Sequence, residues 1–149
     1  MEIKNLFITA EKEAIVKRIN LLKPASKALW GKMDVAQMLA HLQFPILTAY
    51  GKHIPKGSFM LRLIGPLFKS MLWNNKPWKE SLPTDPTFIT TGTTPDFEKQ
   101  KSTLLDLLLQ FSPEALVAER HPIFGKFTKD NWSMATWKHI DHHLRQFGV

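Results

Sequence analysis

The chain has 149 residues, 44% of them apolar, so residues 1–149 are read as a single globular domain with enough apolar material for one core. Zero cysteines exclude disulfides, thiolate metal sites and a cysteine nucleophile, and the expected location is the reducing cytoplasm. The 20 Lys and Arg against 13 Asp and Glu give a net charge of +7, but they are scattered rather than clustered or interleaved with aromatic residues, which argues against nucleic acid as a partner.

No cationic-then-apolar leader is expected at the N-terminus. The longest apolar segment, FMLRLIGPLFKSMLW, is interrupted by Arg62, Gly65, Pro66 and Lys69 and is too short for a transmembrane helix. Upstream of it, ITAEKEAIVKRINLLK sets Ile15, Ile19 and Leu22 at helical spacing, with Thr9 as the expected N-cap and Pro24 ending the helix. A second helix is expected from about Asp34 to Tyr50. Asp34 and Gln37 have the spacing of a capping box and Met33 and Met38 that of a hydrophobic staple, while Pro45 kinks the helix and Gly51 stops it. Ser58 to Trp73 reads as a mostly buried helix, or two short ones broken at Gly65-Pro66.

From Asn74 to Pro95 prolines are frequent and no period persists, so a long loop is expected, either a lid or a plain crossover. Thr94 is the expected cap of the next helix, with Pro95 at its first position and Phe97, Leu104, Leu105, Leu108 and Phe111 on its inner face. Ser112-Pro113-Glu114 marks one further turn, and the last helix runs from near Thr128 to Phe147, with Gly148 as its stop. With no repeat and no strand ladder, the fold class is all-α: a four-helix bundle with short extra helices and one long Pro-rich connection.

Three of the six histidines lie in KHIDHHLRQ on the last helix. At roughly 100° per residue, taking His139 as zero, His143 falls at about +40°, Trp132 at about +20° and Gln146 at about −20°, all on one mainly apolar face. Lys138, Arg145 and Asp141 fall on other sides, and His142, at about −60°, sits at the edge of the inward face. Two inward imidazoles four residues apart suit a transition metal, whereas a core histidine satisfied by a hydrogen bond is the plain alternative. His41 is the best third candidate. It flanks the stripe of Val35, Met38, Leu39, Leu42, Ile46 and Ala49, so residue spacing suits a ligand and a polar cavity residue equally. His53 reads as a surface residue in YGKHIPKG, and His121 as too far along the chain from His139 to join it. Trp30, Trp132 and Trp137 are assigned to the core, and Arg145 to the surface or a dimer contact.

At these residues, WGKMDVAQMLAHL and HPIFGKFTKDNWSMATWKHIDHHLRQFG, the chain resembles the DinB-like (YfiT-like) superfamily of metal-binding four-helix bundles, in a branch named only as a domain of unknown function. The resemblance implies a metal held by His41, His139 and His143, with His142 beside the ligands but not among them. A three-imidazole site of this kind suits a divalent transition metal, zinc or nickel first and iron or copper next. Members of the superfamily include thiol transferases that use bacillithiol, mycothiol or glutathione, and a maleylpyruvate isomerase.

Three imidazoles leave coordination positions open, as catalytic sites do. The expected function is therefore a metal-dependent transferase acting with a low-molecular-weight thiol, or a metal-assisted hydrolase, on a small-molecule substrate. The alternative is a non-catalytic bundle that binds a small ligand or metal. Gln37, His142 and Gln146 are candidates to orient a ligand or touch substrate, Gln37 and Gln146 also having a plain reading as capping or interhelical residues. A homodimer is compatible with these features, and attachment of Ser58 to Trp73 to an anionic membrane is a further reading.

Overall fold

The computed structural model describes residues 1–82 and 84–149. Helix α1 spans Thr9–Leu21, and its N-cap is Ile8 without a side-chain bond; Thr9 is the first helical residue, one position too late to cap. The expected helix after Asp34 is split into α2, Val35–His41, and α3, Gln43–Ala49. The break at Leu42 has a direct cause: Pro45 has no N–H to return to the carbonyl four residues earlier, so the ladder is interrupted at His41. The capping box is formed in full, with Asp34 Oδ1 accepting from Gln37 N at 2.8 Å and Gln37 Oε1 accepting from Asp34 N at 3.0 Å.

Helix α4, Phe59–Phe68, runs straight through Gly65-Pro66 and passes into a 3₁₀ turn, Lys69–Leu72. It is not buried as expected, because it touches the body mainly through Gly65, where an added Cβ would stand 2.6 Å from the Ile123 carbonyl oxygen. Helix α5, Phe97–Gln110, is capped by Asp96 rather than Thr94; the carboxylate accepts from Lys99 N at 2.7 Å and leaves Pro95 outside the helix. The last helix, α6, spans Lys129–Gln146 with Thr128 and Asn131 as a second capping box. Before it lies a feature absent from the sequence reading, a two-residue antiparallel pair of β1, Arg120–His121, and β2, Gly125–Lys126, joined by a turn at residues 122–124, with Gly125 at the start of β2 at φ of +77°.

The fold is an all-α bundle of α1, the α2–α3 pair, α5 and α6, with α4 and the hairpin against one side. Ile15, Ile19, Met38, Leu39, Leu42, Ile46, Leu104, Leu108, Ile140 and Leu144 fill its axis, all fully buried or nearly so. Polar ties at the edges fix how α6 sits. Arg18 donates to Asp141 Oδ1 at 2.7 Å and to the Val149 carbonyl at 2.8 Å, joining α1 to α6. Lys101 donates to the Asn20 and Leu22 carbonyls, satisfying the end of α1 from α5. Among the described residues no helix is long and apolar enough to cross a membrane.

Candidate metal centre

His41 ends α2 and is buried; His139 and His143 lie one turn apart on α6. The three rings form a triangle with every centroid pair 4.8 Å apart and interplanar angles of 74°, 74° and 77°. Such edge-to-face packing points one nitrogen of each ring toward a shared centre, and those nitrogens lie within 4.8 Å of one another. Three nitrogens gathered this closely would together be able to hold one divalent ion.

Partners of the remaining nitrogens set the tautomers. His41 Nδ1 lies 2.8 Å from the Phe88 carbonyl oxygen; a carbonyl only accepts, so the proton is on Nδ1 and Nε2 carries the lone pair. At the other end of the site Gln146 Nε2 donates to the Trp30 carbonyl at 2.6 Å, which leaves its Oε1 as the acceptor for His143 Nδ1 at 2.7 Å. His143 Nε2 is thereby bare as well. His41 Nε2 also stands 2.9 Å from His139 Nε2. Since His41 Nε2 has no proton, the metal-free protein keeps one on His139 Nε2 and leaves His139 Nδ1 buried with no partner among the described residues.

Burial holds all three imidazoles neutral at ordinary pH, the form a metal needs. His41 is lowered by burial against a smaller opposing effect of its bond to Phe88, and His143 is pushed down to about 3 by burial, with the nearby His41 adding to it. His139 is lowered well below the usual histidine range, again chiefly by burial.

The other candidates fall into separate places. Gln146 orients His143 as described. Gln37 is engaged at both ends of its amide, accepting from Asp34 N and donating to the Thr93 carbonyl at 2.8 Å, so it fastens the 74–95 loop to α2 and does not border the cavity. His142 stands between the Trp30 and Trp78 rings, at 5.9 and 5.6 Å, edge-on to His143, and lines the cavity without joining the triangle. Asp141 is turned away into its pair with Arg18.

The site opens into a cavity of about 720 Å³ walled by Trp30, Trp78, Phe88, Ile123, Phe124 and Trp132 among others. Trp30 and Trp132 therefore border the cavity, whereas sequence spacing assigned them to the core alone. His121 also reaches it: the hairpin folds the ring back onto Trp132, 5.4 Å between centroids, and Nδ1 accepts from Ile123 N and Phe124 N. His53 is half-buried behind Phe88 and bonded to Thr87 Oγ1 at 3.0 Å, so it is not the plain surface residue expected.

The loop from Asn74 to Pro95 supplies the Phe88 carbonyl and packs Trp78 over His139 at 5.8 Å. No residue-type signal marks the first contact, because it is made by backbone. Lys138, which the helical wheel sets among the charged residues off the inward face, is buried and donates to the Met71 carbonyl, the Asn74 carbonyl and Asn74 Oδ1 at 2.8 to 2.9 Å. It pins the start of that loop to α6.

Over residues 1–148 the chain matches the family described as Protein of unknown function (DUF1569). The chain belongs to this DUF1569 family. No curated protein and no solved structure matches it. That family description assigns no activity.

Proposed function

We propose that this DUF1569 protein is a divalent-metal-dependent enzyme of the DinB-like type, with His41, His139 and His143 as the ligands and a small molecule as substrate. The observation that carries the reading is the set of three neutral imidazoles, two buried and His139 half-buried, whose outer nitrogens at His41 and His143 are held by the Phe88 carbonyl and Gln146. A group with three nitrogen donors and no thiolate suits zinc or nickel first, and iron or copper next. When bound, such an ion supplies Lewis acidity and an open coordination position.

The protein's own groups do the rest. Aromatic walls favour a substrate with substantial apolar surface. His121, its Nδ1 occupied as an acceptor, carries its proton on Nε2 and is equipped to donate from the cavity wall. His142 borders the cavity beside the ligands and is the nearest group able to take or give a proton. With no cysteine in the chain, a thiol transfer draws its thiol from a cosubstrate; a metal-assisted hydrolase needs none.

Metal analysis of protein purified without a histidine tag tests the first step. Stoichiometric divalent metal, lost in His139→Ala and His143→Ala, is expected, together with a raised melting temperature on adding zinc or nickel. Absence of both overturns the reading. Assays with and without a low-molecular-weight thiol then separate transferase from hydrolase, and metal binding with no turnover in either would establish a non-catalytic ligand-binding bundle instead.

A further inference from the structure

Among the described residues, helix α4 is the most exposed apolar element. Gly65 is its buried residue, and at roughly 100° per residue the opposite side of the helix carries Phe59, Met60, Leu63 and Leu67. Their exposures are 81%, 59%, 64% and 78%, so the apolar stripe points straight out from the body. A packed interior does not explain it, and a stripe of this kind marks an interaction surface.

The charge around the stripe identifies what it fits. Between Asp34 and Glu80 there is no acidic residue, while Lys52, Lys56, Arg62, Lys69, Lys76 and Lys79 are all basic. Arg62 projects beside the stripe within α4, and Lys56 and Lys69 flank its two ends. The hairpin that α4 packs against adds Arg120 and Lys126. Of the nearby acids, Asp85 is turned inward, accepting from Gly57 N and Thr87 N, and Glu119 adjoins Arg120 on the hairpin. An apolar stripe bordered by cations is the pattern of a helix lying in the interface of an anionic bilayer, with its aromatic and aliphatic face among the acyl chains and its cations at the headgroups. A second copy of the chain fits less well, because two α4 faces would bring the same cations against one another.

We propose that α4 docks this protein on anionic membrane surfaces, with Phe59, Met60, Leu63 and Leu67 inserted at the interface and Lys56, Arg62 and Lys69 against the headgroups. Lys69 Nζ donates to the exposed Lys126 carbonyl at a long 3.5 Å, so this cation sits beside Lys126 at the end of α4.

Flotation of the full chain with liposomes tests it. Binding is expected to vesicles of phosphatidylcholine with roughly a third phosphatidylserine and not to phosphatidylcholine alone, and to weaken as salt rises. Neutralising Arg62 or Lys56 should lower the partition coefficient about fivefold each. The triple variant F59S/L63S/L67S should lose binding while keeping the wild-type melting temperature, since those side chains are already in solvent. Equal binding to neutral vesicles, no binding to either, or unchanged binding of the triple variant overturns the proposal. So does a concentration-dependent dimer that the triple variant dissociates, which would make this face a contact between two copies.

Discussion

Gln146 is the residue through which the candidate site is most sharply tested. It is buried, and its amide spans two groups: Nε2 donates to the Trp30 carbonyl at 2.6 Å, and Oε1 accepts from His143 Nδ1 at 2.7 Å. Gln146→Leu keeps the volume close and removes both bonds. Two buried partners are left unsatisfied, so the metal-free protein should lose about 2–3 kcal/mol of stability. Separately, the imidazole loses the acceptor that holds its proton on Nδ1 and its lone pair toward the centre, and removal of such a support lowers metal affinity about 10- to 100-fold.

Gln146→Glu discriminates the two effects. It keeps an acceptor for His143, strengthened by charge, but cannot donate to Trp30, so it should lose stability while retaining zinc affinity. Competition titration of zinc against a chromophoric chelator measures the affinity, and melting in EDTA measures the stability. Wild-type zinc affinity in Gln146→Leu, or equal weakening of both variants, would refute the tautomer argument. Gly31→Ala should act in the same direction as Gln146→Leu, since the backbone there has φ of +84° and the new Cβ would meet the Gln146 amide nitrogen.

Other consequences are open to measurement. Lys138→Met leaves three carbonyl-type acceptors without a donor and should cost about 3 kcal/mol, with a change in tryptophan fluorescence as Trp78 loses the ammonium 5.6 Å above it. Asp34→Ala removes one arm of the capping box and should cost about 1 kcal/mol in denaturant unfolding, with His41 at the far end of the same short helix. His121 is pushed down to about 4 by burial, so between pH 6.5 and 4 the unfolded chain binds a proton that the folded chain refuses, and stability falls as pH falls through that window. The same direction holds for His41, His139 and His143, so the difference between wild type and His121→Asn isolates the His121 share. That share is at most about 3 kcal/mol, reduced because part of the ring is open to the cavity. Equal pH profiles for the two proteins would contradict the assignment.

Local rules in the sequence were enough for most of the bundle. Period, caps and stops placed α1, the α2–α3 pair, α5 and α6 within a residue or two, because capping chemistry at Asp34 and Thr128 and the glycines at 51 and 148 acts over one turn. Where two caps competed locally, at Thr94 and Asp96, the carboxylate prevailed. Helical geometry likewise separated His139 and His143 from His142 and Asp141, since those angles follow from the spacing alone.

Tertiary structure decided what lies across the chain. His41 meets His139 only because α2 packs beside α6, and the backbone carbonyls that hold His41 directly, at Phe88, and His143 through Gln146, at Trp30, carry no sequence signature. The hairpin that carries His121 onto Trp132 is too short to leave a period. Most of all, the apolar segment from Ser58 to Trp73 read as buried because hydrophobicity shows only that a side chain avoids water. Which surface covers it is settled by packing, and here the body takes up Gly65 and leaves the rest of the stripe facing outward.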